Sequence, residues 1–192
     1  MRVIAGTLGG RRLVPVPGKA TRPTADRVRE ALFSRLQSRY LLDGIAVLDL
    51  YAGTGALGIE ALSRGADRLV SVELDRRAAR VLIANLQACG LDGRAEVMVR
   101  DASASLASLA RRERRFDGIF VDPPYGRGLA AAALDHVVAT GILAVGGWVS
   151  VEVGGDEGLV SRAGPLALVR EDVYGDTKLA LYELVDSEER SQ

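Results

Sequence analysis

From Ile45 onward short apolar runs alternate with helical patterns, and that alternation confines the chain to one broad architecture. Residues 46–50 (Ala-Val-Leu-Asp-Leu) read as a strand, and a helix begins over 56–63. A second strand is expected at 68–73. The helix after it, 76–88, has Val81, Leu82, Asn85 and Leu86 at helical spacing. The pattern repeats as strand 95–100, helix 103–112, strand 118–121, helix 130–139 and strand 147–153. Segments 166–172 and 179–185, joined by Tyr174-Gly175-Asp176, close it as a hairpin. Strands separated by crossover helices pair in parallel. The expectation is therefore an α/β fold, a doubly wound, mostly parallel sheet of seven strands. Such sheets bind ligands at the carboxyl ends of their strands.

The first of those ends carries Asp49-Leu50-Tyr51-Ala52-Gly53-Thr54-Gly55-Ala56-Leu57-Gly58. Gly53, Gly55 and Gly58 match G-x-G-x-x-G, and Glu73 follows Gly53 by twenty residues. That spacing suits either a dinucleotide or S-adenosylmethionine, since both need backbone to approach a nucleoside closely. Asp49 opposes a pyrophosphate but suits an ammonium and a sulfonium. Glu73 serves ribose hydroxyls in both cases. Asp101 can accept from an adenine amine, with Ala102 packing on the ring, although an Asp there also reads as a helix cap. Tyr51, Ala52 and Leu74 complete the expected cofactor set.

The other informative end is Asp122-Pro123-Pro124-Tyr125, after the apolar run 116–121. Two prolines stop the strand, since neither can donate to a ladder. The Asp122 carboxylate and the Pro123 carbonyl then stand at the tip as acceptors, with Tyr125 just beyond. These suit a flat ring bearing an amino group. An exocyclic amine has its lone pair delocalised into the ring. Two acceptors on its hydrogens make it more pyramidal, and an aromatic side chain orients the base. Nothing in these four residues serves hydride transfer, so the set favours methyl transfer over an NAD(P) oxidoreductase.

Upstream, residues 1–20 read as a small hairpin turning at Leu8-Gly9-Gly10, followed by a basic linker. Two strands are too few to be stable alone, so the hairpin should dock on the body or order on its substrate. Thr24 reads as the cap of a helix reaching about Tyr40, with Val28, Leu32 and Leu36 on one face. The expected division is 1–20 appendage, 21–186 main domain and 187–192 frayed tail.

Formal net charge is zero, yet residues 1–40 hold nine basic side chains against two acidic, a net of +7, and the remainder carries −7. A basic arm on an acidic body suits an anionic polymer, and Arg11, Arg12, Lys19 and Arg22 are its candidate RNA contacts. Of the 25 basic residues 23 are Arg, so an arginine bias contributes to the count but not to its segregation. One Cys and one His make a His/Cys zinc site implausible, and no metal is expected. Cys89 alone cannot form an internal disulfide, no apolar run approaches a membrane span, and a cytoplasmic location is expected.

The chain resembles the RsmD family of bacterial 16S rRNA (guanine-N2) methyltransferases over nearly its whole length. The resemblance lies in Arg2-Val3-Ile4-Ala5-Gly6 with Gly10-Arg11-Arg12-Leu13, in the segment 21–33 beginning Thr21-Arg22-Pro23-Thr24, in the glycine loop, and in Asp122-Pro123-Pro124-Tyr125. It implies a Rossmann-like class I S-adenosylmethionine-dependent methyltransferase fold with an N-terminal hairpin. It further implies methylation of one guanine amine in 16S rRNA of the small ribosomal subunit or an assembly intermediate; the sequence is silent on oligomeric state, and a monomer is the default expectation. Adenine-N6 methylation of DNA or RNA would use the same four residues and stays open here, as does a non-catalytic assembly role for the arm.

Overall fold

The computed structural model describes residues 1–18 and 23–185, with the backbone alone at 23–25. The chain forms two compact units, Met1–Asp101 and Ala102–Gln192.

The first unit holds α1 (Pro23–Arg39), β1 (Ala46–Asp49), α2 (Ala56–Ser63), β2 (Arg68–Val72), α3 (Arg76–Ala88), a 3-10 turn (Asp92–Arg94) and β3 (Ala95–Met98). Its strands lie in the order β3-β2-β1. All are parallel, with Val47 opposite Leu69 and Leu69 opposite Ala95. Val47, Leu48, Val70, Ile59 and Leu82 are almost fully buried and form the core between strands and helices. The helix bounds follow local chemistry. Asp75 accepts from the Arg77 and Ala78 amides and so starts α3. Cys89 closes that helix, buried, with its thiol pushed up by burial. Helix α1 begins at Pro23 rather than after Thr24, because Pro's fixed φ favours the first helical position.

The second unit holds α4 (Ala102–Arg111), β4 (Phe116–Val121), α5 (Leu129–Thr140), β5 (Leu143–Gly154), β6 (Arg162–Ala163), β7 (Leu166–Tyr174) and β8 (Thr177–Leu184). Its strands run in the order β4-β5-β8-β7-β6. β4 and β5 are parallel, and β8, β7 and β6 continue antiparallel. The described strands number eight rather than seven. The extra one, β6, is two residues long and exists only through its pairing with β7, so no periodicity marks it. Phe120 and Trp148 meet edge to face at 5.1 Å in this unit's core. The fold is Rossmann-like, with β1–β3 parallel in the first unit, β4 and β5 parallel in the second, and an antiparallel hairpin after β5. Among the described residues no helix is long and apolar enough to cross a membrane.

The N-terminal hairpin is reduced to one bridge, Arg2 opposite Arg12, with backbone bonds from Val3 N to Arg11 O and Gly10 N to Val3 O. It docks on α2 and α3. The fully buried Glu60 carboxylate accepts from Ile4 N at 2.7 Å, Ala5 N at 3.0 Å and Arg64 Nε at 2.7 Å, with Arg29 Nε at 3.8 Å. Arg29, 5% exposed, also donates to Asp26 and to the Arg2 carbonyl. Gly6 sits so close to α2 that a Cβ there would fall 1.9 Å from Ser63 O. Asn85 Oδ1 accepts from Val14 N, and its Nδ2 donates to Val14 O and Thr54 O. A fixed appendage results.

Removing one partner of a buried charged set leaves the others unpaired. Glu60→Ala should cost about 3 kcal/mol or more in urea denaturation. It should also abolish amide exchange protection at Val3 and Gly10. Preserved protection at those two amides would show that the hairpin docks without the carboxylate.

Candidate active site

At the carboxyl end of β1, Asp49 is 1% exposed and its Oδ2 accepts from Gly58 N at 3.2 Å. Burial raises its carboxyl pKa to about 7 from an ordinary 3.8, and the nearby Glu73 charge raises it further, against the lowering effect of the Gly58 amide. Glu73, one residue past β2, has each oxygen in use. Oε2 accepts from Gly53 N and Oε1 from Asp75 N, both at 2.8 Å. The expected cofactor residues Asp49, Gly53 and Glu73 are thus brought together by direct bonds and charge. Gly55 has φ +83° and caps α2, and a Cβ on it would fall 2.3 Å from Leu82 Cδ1. Only glycine meets both demands.

Tyr51 is half-buried, and its hydroxyl pKa is raised by burial and by the charge of Asp101. Asp101 is exposed and immediately precedes α4, whose first residue is Ala102. Ala52 is buried and donates to Val72 O, which ties the loop to β2. Leu74 is 68% exposed beside Glu73, a large apolar side chain with a face open to a ligand.

Two features test whether this end fits S-adenosylmethionine. Asp49 Oδ1 is buried with no hydrogen-bond partner among the described residues, so the carboxylate retains capacity for positive charge above it. A Cβ on Gly53 would meet nothing nearer than Tyr51 O at 4.0 Å, so the loop backbone is open to a close-packed ligand. The residues fit the cofactor in charge capacity at Asp49 and in backbone access at Gly53.

In the second unit Asp122-Pro123-Pro124-Tyr125 stands at the carboxyl end of β4, as the two prolines predict. Asp122 is half-buried, Pro123 buried and Pro124 exposed. The Tyr125 hydroxyl donates to Glu152 Oε1 at 2.7 Å and lies 3.5 Å from Thr177 Oγ1. A Cβ on Gly154 would come within 3.3 Å of the Tyr125 ring, so the ring lies against that backbone. Burial pushes the Tyr125 hydroxyl pKa well up, which keeps it a donor. Glu152, Gly154 and Thr177 are absent from the sequence-based set. The available signal is Glu152 itself, the one charge in the otherwise uncharged run 147–153.

Of the expected RNA contacts, Arg12 is exposed in the hairpin bridge. Arg11 is exposed but donates from Nη2 to Ala88 O at 2.6 Å, an anchor for the hairpin. Lys19 and Arg22 lie outside the described residues, as does the tail 187–192.

A family model described as Conserved hypothetical protein 95 matches residues 1–183. The chain belongs to that family. It is 38% identical over 184 residues to Ribosomal RNA small subunit methyltransferase D of Escherichia coli K12, covering 95% of this chain and 89% of the relative. The protein of the same name from Haemophilus influenzae is 32% identical, with 95% and 93% covered. Among solved structures, Escherichia coli yhhF is 37% identical with a TM-score of 0.82, covering 96% of this chain and 97% of that one. A hypothetical protein from Thermus thermophilus is 32% identical with a TM-score of 0.80, covering 96% and 99%. The RsmD-type resemblance covers 95% of the chain, and the hairpin and both strand-end motifs fall inside the span 1–183 of the family model.

The buried carboxyl of Asp49 has a pH consequence. A carboxyl with a raised folded pKa binds more protons folded than unfolded between about pH 4 and pH 7, so stability falls as pH rises through that window. The melting temperature of the ligand-free protein should drop from about pH 5 to about pH 8, and Asp49→Asn should flatten the drop. Equal slopes in both proteins would show that Asp49 is not the titrating group.

Proposed function

We propose that this chain transfers a methyl group from S-adenosylmethionine to the N2 amine of a guanine in small-subunit rRNA. The observation that carries the reading is the amine-acceptor motif at the tip of β4, its aromatic ring held by Glu152 and Gly154. The names of the Escherichia coli and Haemophilus influenzae relatives support rRNA of the small subunit as the substrate. A ribosomal substrate implies action in the cytoplasm.

Asp49, Gly53, Gly55, Glu73, Leu74 and Asp101 would hold the cofactor, with Ala102 beside the adenine. When bound, S-adenosylmethionine would supply an electrophilic methyl group, the S–CH3 bond of its sulfonium breaking to leave a neutral thioether as the new N–C bond forms. The chain's own residues prepare the N2 lone pair. Asp122 accepts one N2 hydrogen, the Pro123 carbonyl accepts the other, and both hold the nitrogen pyramidal. Tyr125 stacks on the base and fixes its plane. The target must leave its stack, at a cost of roughly a few kcal/mol, and an RNA loop lowers that cost. After transfer the nitrogen is cationic and acidic, and its proton passes to Asp122 or to water. No covalent enzyme intermediate forms. The exposed Arg12 would lie near phosphate, which positions the RNA without reading it.

A dinucleotide fits less well. A buried carboxylate under the glycine loop opposes a pyrophosphate, and Asp122 has no role in hydride transfer.

Asp122→Ala should lower kcat on small subunits by about 100-fold or more while cofactor affinity stays within about twofold. The split is read by single-turnover kinetics beside calorimetric titration. An Asp122→Ala protein with full rate would remove the motif from the chemistry.

A further inference from the structure

Val121 in β4 pairs with Val151 in the parallel β5. Continuing that register sets Asp122 beside Glu152. Neighbours in register project to the same face of a sheet. Glu152 therefore brings a second carboxylate to the amine-acceptor motif. One contact ties it to the motif's tyrosine, which two further segments hold in turn. Glu152 Oε1 accepts from the Tyr125 hydroxyl at 2.7 Å, Thr177 Oγ1 lies 3.5 Å from that hydroxyl, and the Tyr125 ring rests against Gly154. Asp122 and Glu152 both disfavour ionisation of the hydroxyl, so the carboxylates and the ring form one electrostatic cluster.

A carboxylate offers about four acceptor positions, so Glu152 can take a further donor beside the groups it already meets. The four-residue motif by itself reads only an amine on a flat ring, a description that fits guanine and adenine equally. What separates the bases lies next to the amine. Guanine presents N1–H beside N2, two donor groups in a row. Adenine presents N1 as a lone pair.

We propose that Glu152 is the base-reading residue of this site: its carboxylate accepts the N1–H of the target guanine while Asp122 and the Pro123 carbonyl hold the N2 amine. The inference rests on the guanine-N2 reading above. Adenine in the same pocket would set a lone pair against the half-buried carboxylate and leave that acceptor unmet beneath the base. Sites built to hydrogen-bond a donor reject analogues lacking it far more strongly than apolar pockets reject a changed methylene. Base choice then comes from β5, and Tyr125 has two tasks, stacking on the base and setting the Glu152 carboxylate.

The test uses small-subunit rRNA carrying either guanosine or 2,6-diaminopurine riboside at the methylated position, assembled into subunits. Diaminopurine keeps the 2-amine but presents a lone pair at N1. The full-length protein should prefer guanosine in kcat/KM by about 100-fold or more. Glu152→Gln keeps an oxygen for the Tyr125 hydroxyl and gains an N–H for N1. It should shrink the preference to about 10-fold or less, with cofactor affinity unchanged. Tyr125→Phe, which leaves the carboxylate but removes the hydroxyl that sets it, should slow both substrates and lower the preference less than Glu152→Gln does. A merely structural Glu152 would lower both rates together. Equal wild-type rates on the two bases, or an unchanged preference in Glu152→Gln, overturns the proposal. Absence of N2-methylguanosine from wild-type protein on unmodified subunits would instead overturn the guanine reading itself, and the proposal with it.

Discussion

A carboxylate taken out of water must be met by donors or it destabilises the fold. This chain places several where water is scarce, and each is met in a way that shapes its surroundings. Glu60, fully buried, draws in two hairpin amides and Arg64, with Arg29 alongside, and so fixes the N-terminal segment on α2. Glu73 divides its oxygens between Gly53 and Asp75, which holds the glycine loop and the start of α3 together. Asp49 is met on one side only, by Gly58, and holds its proton up to near neutrality. Glu152 is met by Tyr125. The first two are structural solutions. In Asp49 one oxygen has no hydrogen-bond partner among the described residues, which is what a site for a cationic ligand requires.

This division explains what the amino-acid sequence makes legible. Helices α2 and α3 begin and end where expected, because glycine and Asp caps act within a few residues. The acceptor motif can be read because proline's effect on a strand is local. Strand β5 runs from Leu143, four residues earlier than its apolar run suggests, because Leu143 pairs with Phe116 before a register shift. Only the partner strand records that. Glu60 and Glu152 are illegible as anchors for the same reason. The hairpin amides that Glu60 meets lie 56 and 55 residues away and Tyr125 lies 27 from Glu152, so neither long-range contact is marked by local spacing.

The hairpin shows how the two levels meet. Composition marks the first forty residues as a basic arm, and leaves open whether it docks on the body or orders on its substrate. The fold resolves it as docked, with Arg11 spent on Ala88 O and Asn85 bridging Val14 to the Thr54 carbonyl of the glycine loop. The arm is continuous in hydrogen bonding with the loop that would hold the cofactor. An appendage fixed in this way would reach a phosphate at a lower entropic cost than a free one.

The central claim is that the chain methylates a guanine amine of small-subunit rRNA. Its most direct test is methyl transfer from labelled S-adenosylmethionine onto small ribosomal subunits lacking their native modification. The RNA is then digested and the labelled nucleoside identified by mass. The account predicts N2-methylguanosine at a single position. Label in N6-methyladenosine, or no label from protein that binds the cofactor, would contradict it.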